Sequence, residues 1–278
     1  MVGSVNIDLV VAAEHIPCLR ETVLGSTFQT FSGGKGANQA VAAARLGAPV
    51  SMVAKLGDDA FSDGLRRNLT QAGVDTSRIG KTSGPSGVAV IATDHKGENA
   101  IIVVPGANAT LSLADLDENP DLLRSAGVLL CQLEVPLKTV EHLAVIAEKN
   151  GIPLVLDPAP ACSLPGGLLH RVEWITPNET EAARLFGLAE HELTLAAFPQ
   201  IASRLLALGP HNVIIKAGKR GYYLASQEHH EFVSAFQVQA LDTTAAGDAY
   251  NGAFAVGLME GRNSRSSADF ASAPLRFL

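Results

Sequence analysis

The sequence predicts an α/β fold in which helices cover both faces of a parallel sheet. Short apolar runs without polar alternation indicate buried parallel strands, because both faces of such a sheet are covered. Stretches with helical spacing lie between these runs, an order that is typical of a layered α/β fold. The predicted strands are residues 50–54, 128–131, 153–156 and 213–216, and the predicted helices are residues 37–46, 137–149 and 198–208.

The ends of the predicted helices are marked by glycine. Helix 37–46 is rich in alanine, and helix 137–149 places its apolar side chains on one stripe. A glycine follows each helix within two residues, and it allows the chain to leave the helical conformation at little steric cost. These glycines are Gly47, Gly151 and Gly209.

Two segments depart from this order and predict a second, smaller sheet. Residues 9–31 alternate polar and apolar side chains and carry no helix signal. Residues 87–104 alternate around a turn at residues 94–97, which is typical of a hairpin. If the two segments pair, they form a small β-sheet that can act as a lid over a site at the strand ends.

Composition limits the classes of function. The chain has 278 residues, 47% of them hydrophobic and 18% charged, which is enough for one large α/β unit and argues against disorder. A net charge of −7 disfavours binding to a nucleic-acid backbone. The sequence shows no secretory signal and no apolar run of membrane-spanning length, and its three cysteines fit neither a metal site nor a disulfide framework. We therefore expect a soluble, cytoplasmic protein.

The first motif is the stretch SGGKGAN, residues 32–38, at the start of a predicted helix. Its glycines let backbone N–H groups approach a ligand, and a helix start favours anionic groups. It is not a Walker A loop, because Gly36 follows Lys35 where serine or threonine is required. The alternative interpretation is a flexible turn with a solvated lysine.

The second motif is DTTAAGD, residues 242–248. Its small residues leave unobstructed N–H groups where a helix begins, which suits an anion hole for charge that develops on a phosphate. Asp248 lies in or just after the first turn and faces the same opening, where a carboxylate can take a proton from an attacking hydroxyl. The alternative is that Asp248 only interacts with the helix dipole.

Polar residues elsewhere are weaker candidates. Asn178 and Glu181 have the spacing of a capping box, or they orient water around a magnesium ion on nucleotide phosphates. Asn6 and Asp8 end the first strand and Glu134 follows a predicted strand, at positions where α/β folds bind ligands. The alternative for each acid is plain exposure to solvent.

Taken together, these motifs resemble the ribokinase-like carbohydrate kinases, the PfkB family. The stretch from Gly33 to Gly47, which begins GGKGANQA, and the motif DTTAAGD resemble the two family signatures. Residues 2–8, 132–134 and 176–181 also resemble family segments, so the match runs from Met1 to about Ala273. The resemblance implies one kinase domain over residues 1–278, with a three-layer α/β/α, Rossmann-like core and a discontinuous lid at about 9–31 and 87–104.

The resemblance also implies a reaction. An ATP-dependent enzyme of this family phosphorylates a sugar hydroxyl, and the first candidate is the 5-hydroxyl of D-ribose, giving D-ribose 5-phosphate and ADP. Asp248 is then the base, and the N–H groups of Ala245, Ala246 and Gly247 stabilise the phosphoryl group. The residues implied for sugar binding are Asn6, Asp8, Gly34, Lys35, Asn38 and Glu134.

Nucleotide and metal sites are implied in the same way. The residues implied to bind magnesium and ATP are Asn178, Glu181, Lys216, Gly218 and Gly221. Asp242 and the carbonyl of Thr244 would form half of a potassium site. The resemblance further implies a homodimer formed through the lid.

The sequence departs from the family pattern at several places. It starts at Met1, inside what should be the first strand, so we expect that strand to be short. The lid turn has Leu19-Arg20 before Glu-Thr where the family usually has Pro-Gly, and lysines occupy positions 216 and 219 where we expect smaller or hydroxylated residues. Residues 274–278 do not resemble the family's continuation, so we expect a shortened C-terminus with an incomplete potassium site. Two alternatives remain: a sister kinase for another furanose or a nucleoside, and a non-catalytic sugar-binding remnant.

Overall fold

The computed structural model describes residues 1–188, 193–236 and 245–273. The strands are β1 (Asn6–Ala13), β2 (Gly25–Gly33), β3 (Val50–Ser51), β4 (Ala54–Leu56), β5 (Val74–Asp75), β6 (Ile79–Lys81), β7 (Gly87–Thr93), β8 (Asn99–Val104), β9 (Leu129–Cys131), β10 (Leu154–Leu156), β11 (Trp174–Ile175), β12 (Asn212–Lys216), β13 (Gly221–Ser226) and β14 (His230–Ser234). The helices are α1 (Lys35–Arg45), α2 (Ser62–Gln71), α3 (Leu113–Asp117), α4 (Pro120–Arg124), α5 (Leu137–Asn150), α6 (Glu179–Leu185), α7 (Phe198–Ala207), α8 (Ala246–Met259) and α9 (Ser264–Ser272).

The central sheet has the strand order β14-β13-β12-β11-β10-β9. Strands β9 to β12 are parallel, and β13 and β14 add an antiparallel edge. Every residue of β9 and β10 is buried, which explains why these strands appear in the sequence as continuous apolar runs.

Helices cover both faces of this sheet, as the sequence predicts. Leu129 and Cys131 of β9 pack on the face that contacts α5 and α7, whereas Leu130 between them faces α8 and α9. On the second face, Trp174 of β11 meets Phe254 of α8 edge to face, with ring centroids 4.9 Å apart. The three predicted helices are present, and each begins and ends within two residues of its predicted limits.

The predicted strand 50–54 is divided in two. Strand β3 pairs with β5 and strand β4 pairs with β6, so the run serves two separate two-stranded sheets. Between them Val53 forms a bridge to Val2, which in turn bridges Cys131 at the edge of the central sheet. A continuous apolar run does not reveal such a change of partner, because every residue in it is suited to burial.

A four-stranded sheet with the order β2-β1-β7-β8 is separate from the central sheet. Strand β1 is antiparallel to β2 and parallel to β7, and β7 forms a hairpin with β8. The sheet begins at Asn6 and reaches Gly33, so it extends further toward the candidate site than the predicted lid segments. All six residues of β8 are exposed.

Helices α1 and α8 cross closely at Gly252. A Cβ atom at this position would lie 2.6 Å from the carbonyl oxygen of Gln39 and 2.9 Å from the Cβ of Ala42. The crossing brings the N-terminal turns of the two motif helices to the same edge of the core. In the described ranges, no helix has the length and apolar character needed to span a membrane.

We expect Gly252→Ala to lower the free energy of unfolding by about 2 kcal/mol, since the added methyl group meets backbone atoms that cannot rotate away. Urea unfolding of the variant and the parent protein measures the difference.

Gly64→Ala is the matched control, because Gly64 lies inside α2 and a Cβ there has no atom within 4 Å. This substitution should raise the free energy of unfolding by up to about 1 kcal/mol through helix propensity. Equal effects of the two substitutions would contradict the close crossing.

Candidate active site

The glycine-rich turn before α1 packs directly on the backbone of residues 3–6. Gly34 has φ +92°, and a Cβ on it would lie 2.8 Å from the nitrogen of Asn6. A Cβ on Gly36 would lie 2.5 Å from the nitrogen of Ser4. Glycine is therefore required at both positions. At position 34 the positive φ and the close approach both require it, and at position 36 the close approach requires it.

The first N–H groups of α1 already have acceptors within the protein. Lys35 donates its N–H to Glu134 Oε2 at 3.0 Å. Gly36 donates to Ser4 Oγ at 3.2 Å, and Ala37 donates to the Ser4 carbonyl at 2.9 Å. The expectation that this turn presents free N–H groups to a ligand is wrong for these three, because the glycines let the protein's own acceptors come within reach.

The carboxylate of Asp248 lies in the first turn of α8 and is held by two amides of α1. Asn38 Nδ2 donates to its Oδ2 at 3.0 Å, and Gln39 Nε2 donates to its Oδ1 at 3.0 Å. The residue is only 6% exposed, so it is more enclosed than the open position that we expected from the sequence. Burial raises the pKa of Asp248, Lys35 and the two amides lower it, and the charge of Asp157 raises it.

The N-terminus of α8 is open. Ala245 caps it in the left-handed conformation with φ 54°, and the next residues, Ala246 and Gly247, are exposed. Within the described part of the chain, no residue accepts a hydrogen bond from the N–H groups of Ala246 or Gly247. The start of a 14-residue helix, with its first residues exposed, suits an anion.

The predicted sugar-binding residues of β1 face the same region. Burial raises the pKa of Asp8 to about 6, and the nearby carboxylates of Glu134 and Asp248 contribute. A Cβ on Gly33 would collide with the Asp8 carboxylate, which explains glycine at the end of β2. Asn6 is 3% exposed, and its Oδ1 accepts a hydrogen bond of 2.7 Å from Asn108 Nδ2.

Lys35 lies among these acids and is mostly buried, so the interpretation as a solvated lysine does not hold. Burial disfavours its charged form, but the surrounding carboxylates outweigh that effect and raise the pKa of Lys35. These carboxylates belong to Asp248, Asp157, Glu181 and Glu134. Lys35 is therefore the cation at the centre of the site.

A second cation enters from the central sheet. Lys216 at the end of β12 places its Nζ 3.0 Å from Asp157 Oδ1. The same Nζ lies 3.6 Å from the position that a Cβ on Gly247 would occupy, beside the open end of α8. The ion pair is largely buried, with Asp157 only 1% exposed, so the carboxylate serves to hold the ammonium group in place.

Sequence reasoning missed Asp157, Gln39 and Asn108. Asp157 directly follows the buried strand β10, at the carboxyl end of a parallel strand, so the signal that selected Glu134 was present there as well. Gln39 and Asn108 give no such signal, since buried amides that orient other side chains have no characteristic pattern in a sequence.

Asn178 and Glu181 form the capping box that their spacing allows. Glu181 donates its N–H to Asn178 Oδ1 at 2.8 Å, and Asn178 donates its N–H to Glu181 Oε2 at 2.8 Å. Their polar atoms outside the box, Asn178 Nδ2 and Glu181 Oε1, take no part in these two bonds. Burial raises the pKa of Glu181, Lys216 lowers it, and the charge of Asp157 raises it.

The two glycines of the predicted nucleotide loop have different surroundings. Gly218 has φ +53°, and a Cβ there would have no atom within 4 Å, so the turn is open on that side. Gly221 has φ +122°, and a Cβ there would collide with the Val233 carbonyl of β14, which gives this glycine a packing role. Asp242 and Thr244, predicted to bind potassium, lie outside the described residues.

The arrangement can support phosphoryl transfer to a hydroxyl. A buried carboxylate, an open helix start and two ammonium groups lie within one region, which suits an anionic group next to a proton acceptor. Among the described residues, no cluster of three or more histidine, cysteine or acidic side chains is arranged to hold a metal ion by itself.

Comparisons with known proteins agree with this chemistry. The family model described as pfkB family carbohydrate kinase matches residues 1–274. The ribokinase of Bacillus subtilis is 40% identical over 98% of this chain and 89% of its own length. The ribokinase of Schizosaccharomyces pombe is 39% identical over 98% of this chain and 88% of its own length.

Solved structures give the same result for the fold. The Arabidopsis thaliana ribokinase complexed with ribose and ATP has a TM-score of 0.88 and 34% identity, covering 98% of this chain and 89% of that chain. The Thermotoga maritima ribokinase has a TM-score of 0.87 and 37% identity with the same coverage. The predicted fold class and the family resemblance are both confirmed, and the chain belongs to the pfkB family of carbohydrate kinases.

Proposed function

We propose that the protein transfers the terminal phosphoryl group of ATP to the 5-hydroxyl of D-ribose, giving D-ribose 5-phosphate and ADP. The observation that carries this proposal is the position of the Asp248 carboxylate, in the first turn of α8 beside the exposed Ala246 and Gly247. A base and an open helix start at one point are what the attack of a hydroxyl on a phosphoryl group requires. Ribokinases from several organisms are also similar to this chain over nearly its whole length.

The sugar is held by polar groups that still have free bonding capacity. Glu134 uses Oε2 for the Lys35 N–H and the Ser4 hydroxyl, which leaves Oε1 for a sugar hydroxyl. Asn6 uses Oδ1 for Asn108, which leaves its amide nitrogen as a donor. Together with the Asp8 carboxylate, these groups reject a ligand that lacks their hydroxyl partners, because a buried polar group would remain unpaired. The remaining proposed contacts are Gly34, Lys35 and Asn38.

The reaction is an in-line displacement. The sugar oxygen forms a bond to the phosphorus, the bond from phosphorus to the bridging oxygen of ADP breaks, and Asp248 takes the hydroxyl proton. The N–H groups of Ala245, Ala246 and Gly247 stabilise the negative charge on the transferring phosphoryl group by hydrogen bonding. Lys216 lies beside them. Positioning and charge stabilisation supply most of the acceleration in such transfers.

The donors near α6 fit a magnesium ion that is bound mainly through phosphate. Magnesium keeps several waters and takes one or two carboxylates together with substrate phosphates. Glu181 would be that carboxylate, oriented by its bonds to Asn178. When bound, the ion would neutralise charge on the phosphates, while Lys216, Gly218 and Gly221 lie on the nucleotide side. Potassium binding at Asp242 and Thr244, and a cytoplasmic location, stay predictions from the sequence.

A related substrate remains as the second candidate. The deoxyribokinase of Salmonella typhi is 37% identical to this chain over 92% of it. Turnover of a panel of ribose, 2-deoxyribose, fructose and adenosine with ATP and magnesium distinguishes the candidates. Ribose should be the best substrate, whereas a clear preference for deoxyribose would assign the second function.

We expect Asp248→Asn to lower kcat for ribose by roughly 10²- to 10⁴-fold, the usual contribution of a general base. The amide keeps the size of the side chain but cannot take the proton, so ribose binding should be retained. ADP release measured against ribose concentration separates the two effects.

Asp63→Asn is the matched control, because Asp63 is an exposed acid in the first turn of α2. It should turn over ribose at the normal rate. Normal turnover by Asp248→Asn as well would show that Asp248 is not the base.

We expect ribose binding to weaken as the pH falls through about 6, the raised pKa of Asp8. An acid with a raised pKa is ionised above that pH and can then accept two sugar hydroxyls, whereas the protonated form below it accepts less well. If only the ionised form binds, the Kd at pH 5 is about tenfold higher than at pH 8. Calorimetric titration with ribose in the absence of nucleotide measures this.

Asp8→Asn provides the control for this titration, since it should bind ribose weakly at every pH with no step near 6. A flat Kd for the parent protein between pH 5 and 8 would remove Asp8 from the sugar site.

The lid sheet is the proposed dimer interface. Its strands β2 and β8 carry large apolar side chains that are open to solvent, an arrangement that marks an interaction surface when the side chains are contiguous. These residues, with their exposed fractions, are Phe28 (64%), Phe31 (50%), Ile101 (52%), Ile102 (68%), Val103 (45%) and Val104 (47%).

We expect Ile102→Asp to convert a dimer into a monomer in sedimentation velocity at micromolar concentration, because it places a charge in an apolar contact. Leu113→Asp, at an exposed position on α3 and outside the lid strands, should leave the dimer intact. A monomeric parent protein, or a dimer that persists in Ile102→Asp, would contradict the interface.

A further inference from the structure

Gln39 joins two buried acids through a single amide group. Its Nε2 donates to Asp248 Oδ1 at 3.0 Å and to Asp157 Oδ2 at 2.9 Å, so each amide hydrogen has its own carboxylate. The side chain is completely buried, as the two acids nearly are, with 6% and 1% exposure. Solvent water therefore cannot replace these two hydrogen bonds of the Gln39 amide.

A second glutamine fixes the orientation of the Gln39 amide. Gln132 Nε2 donates to Gln39 Oε1 at 2.6 Å. Rotating the Gln39 amide by half a turn would bring its oxygen against two carboxylates and its nitrogen against a donor. The hydrogen-bond pattern thus permits one orientation only.

We propose that Gln39 is a positioning residue for the reaction: it fixes the plane of the Asp248 carboxylate and separates its charge from that of Asp157. This role rests on the proposed function, since it presumes that Asp248 is the base. Gln39 itself is completely buried, so it acts through the side chains that it contacts.

The amide of Gln39 restrains the geometry of the base. The terminal torsion of an aspartate is broad, so the carboxylate of an unrestrained Asp248 turns easily. Asn38 holds one of its oxygens and Gln39 holds the other. With both held, the remaining lone pairs keep one direction, and the hydroxyl that loses its proton must be presented there.

The same amide favours the ionised form of the base. Burial raises the pKa of Asp248, Lys35 opposes this, and Asp157 adds to it as a like charge. Asp8 on β1 also interacts with the charge of Asp248. The shared amide lies between the two carboxylates with its positive hydrogens, and its bond to Asp248 lowers the pKa of that acid. Lys216 completes the arrangement by neutralising Asp157 on the far side.

Gln39→Met tests the proposal, since methionine has a similar length and volume but no amide. The primary readout is the pKa of Asp248, measured at its carboxyl carbon by NMR titration of protein labelled with ¹³C in aspartate and assigned with Asp248→Asn. The second readout is the pH profile of kcat with ribose, together with the Kd for ribose. Gln71→Met, at an exposed position of α2, is the matched control.

The expected result is a higher pKa of Asp248 in Gln39→Met. The acid limb of the pH profile of kcat should move to higher pH by about one unit. At its plateau kcat should be at least about tenfold lower, through misorientation of the base. The Kd for ribose should stay within about twofold, and Gln71→Met should match the parent protein in every readout. An unchanged Asp248 pKa in Gln39→Met would overturn the proposal, whatever the stability of the variant.

Gln39→Leu is the second variant if Gln39→Met does not fold, because it also removes the amide that bonds both carboxylates. It should raise the Asp248 pKa in the same direction, and no change there would overturn the proposal. If the parent protein phosphorylates no sugar, the proposed function fails, while the NMR titration still decides whether Gln39 controls the charge of Asp248.

Discussion

The hydrogen bonds between the Asp248 carboxylate and the amides of α1 are the constraint around which the site is built. They form because α1 and α8 cross closely enough at Gly252 for a first-turn acid of one helix to reach Asn38 and Gln39 of the other. A buried carboxylate is costly unless it is well bonded, so this crossing has to be held accurately. Gly252 permits the crossing, while Gly34 and Gly36 let the start of α1 pack on the backbone of residues 3–6.

The site brings two lysines together with a larger number of acids over a short range. Acids from the loops after β9 and β10 and from α6 and α8 surround Lys35, while Lys216 pairs with Asp157. Neighbouring charges act on the pKa values of Asp8, Glu181 and Asp248, so the site behaves as a coupled set and not as a list of separate residues. An added phosphate chain would meet two ammonium groups and an open helix start, and an added sugar would meet oxygens and amides whose free positions suit hydroxyl groups.

Much of this could be predicted from the sequence, and the failures have physical causes. Helices 37–46, 137–149 and 198–208 were predictable because apolar spacing and terminal glycines act locally. The run 50–54 was not, because its division depends on distant partners, Val2 and the strands β5 and β6.

In the site, the motifs selected Asp248 and Lys35, which lie close enough to interact. They did not reveal that Glu134 and Ser4 accept hydrogen bonds from the first N–H groups of α1. Asp157 was recoverable from its place after β10, whereas Gln39 becomes visible only when the side chains around it are known.

Phosphoryl transfer to a bound sugar can be observed directly by ³¹P NMR of the protein with ribose, ATP and magnesium. We predict that the signals of ADP and of a sugar 5-phosphate grow in equal amounts, with no inorganic phosphate, because an enclosed Asp248 accepts its proton from the bound sugar and not from water. Release of inorganic phosphate without a sugar phosphate, or no change in ATP while ribose is bound, would contradict this role of Asp248.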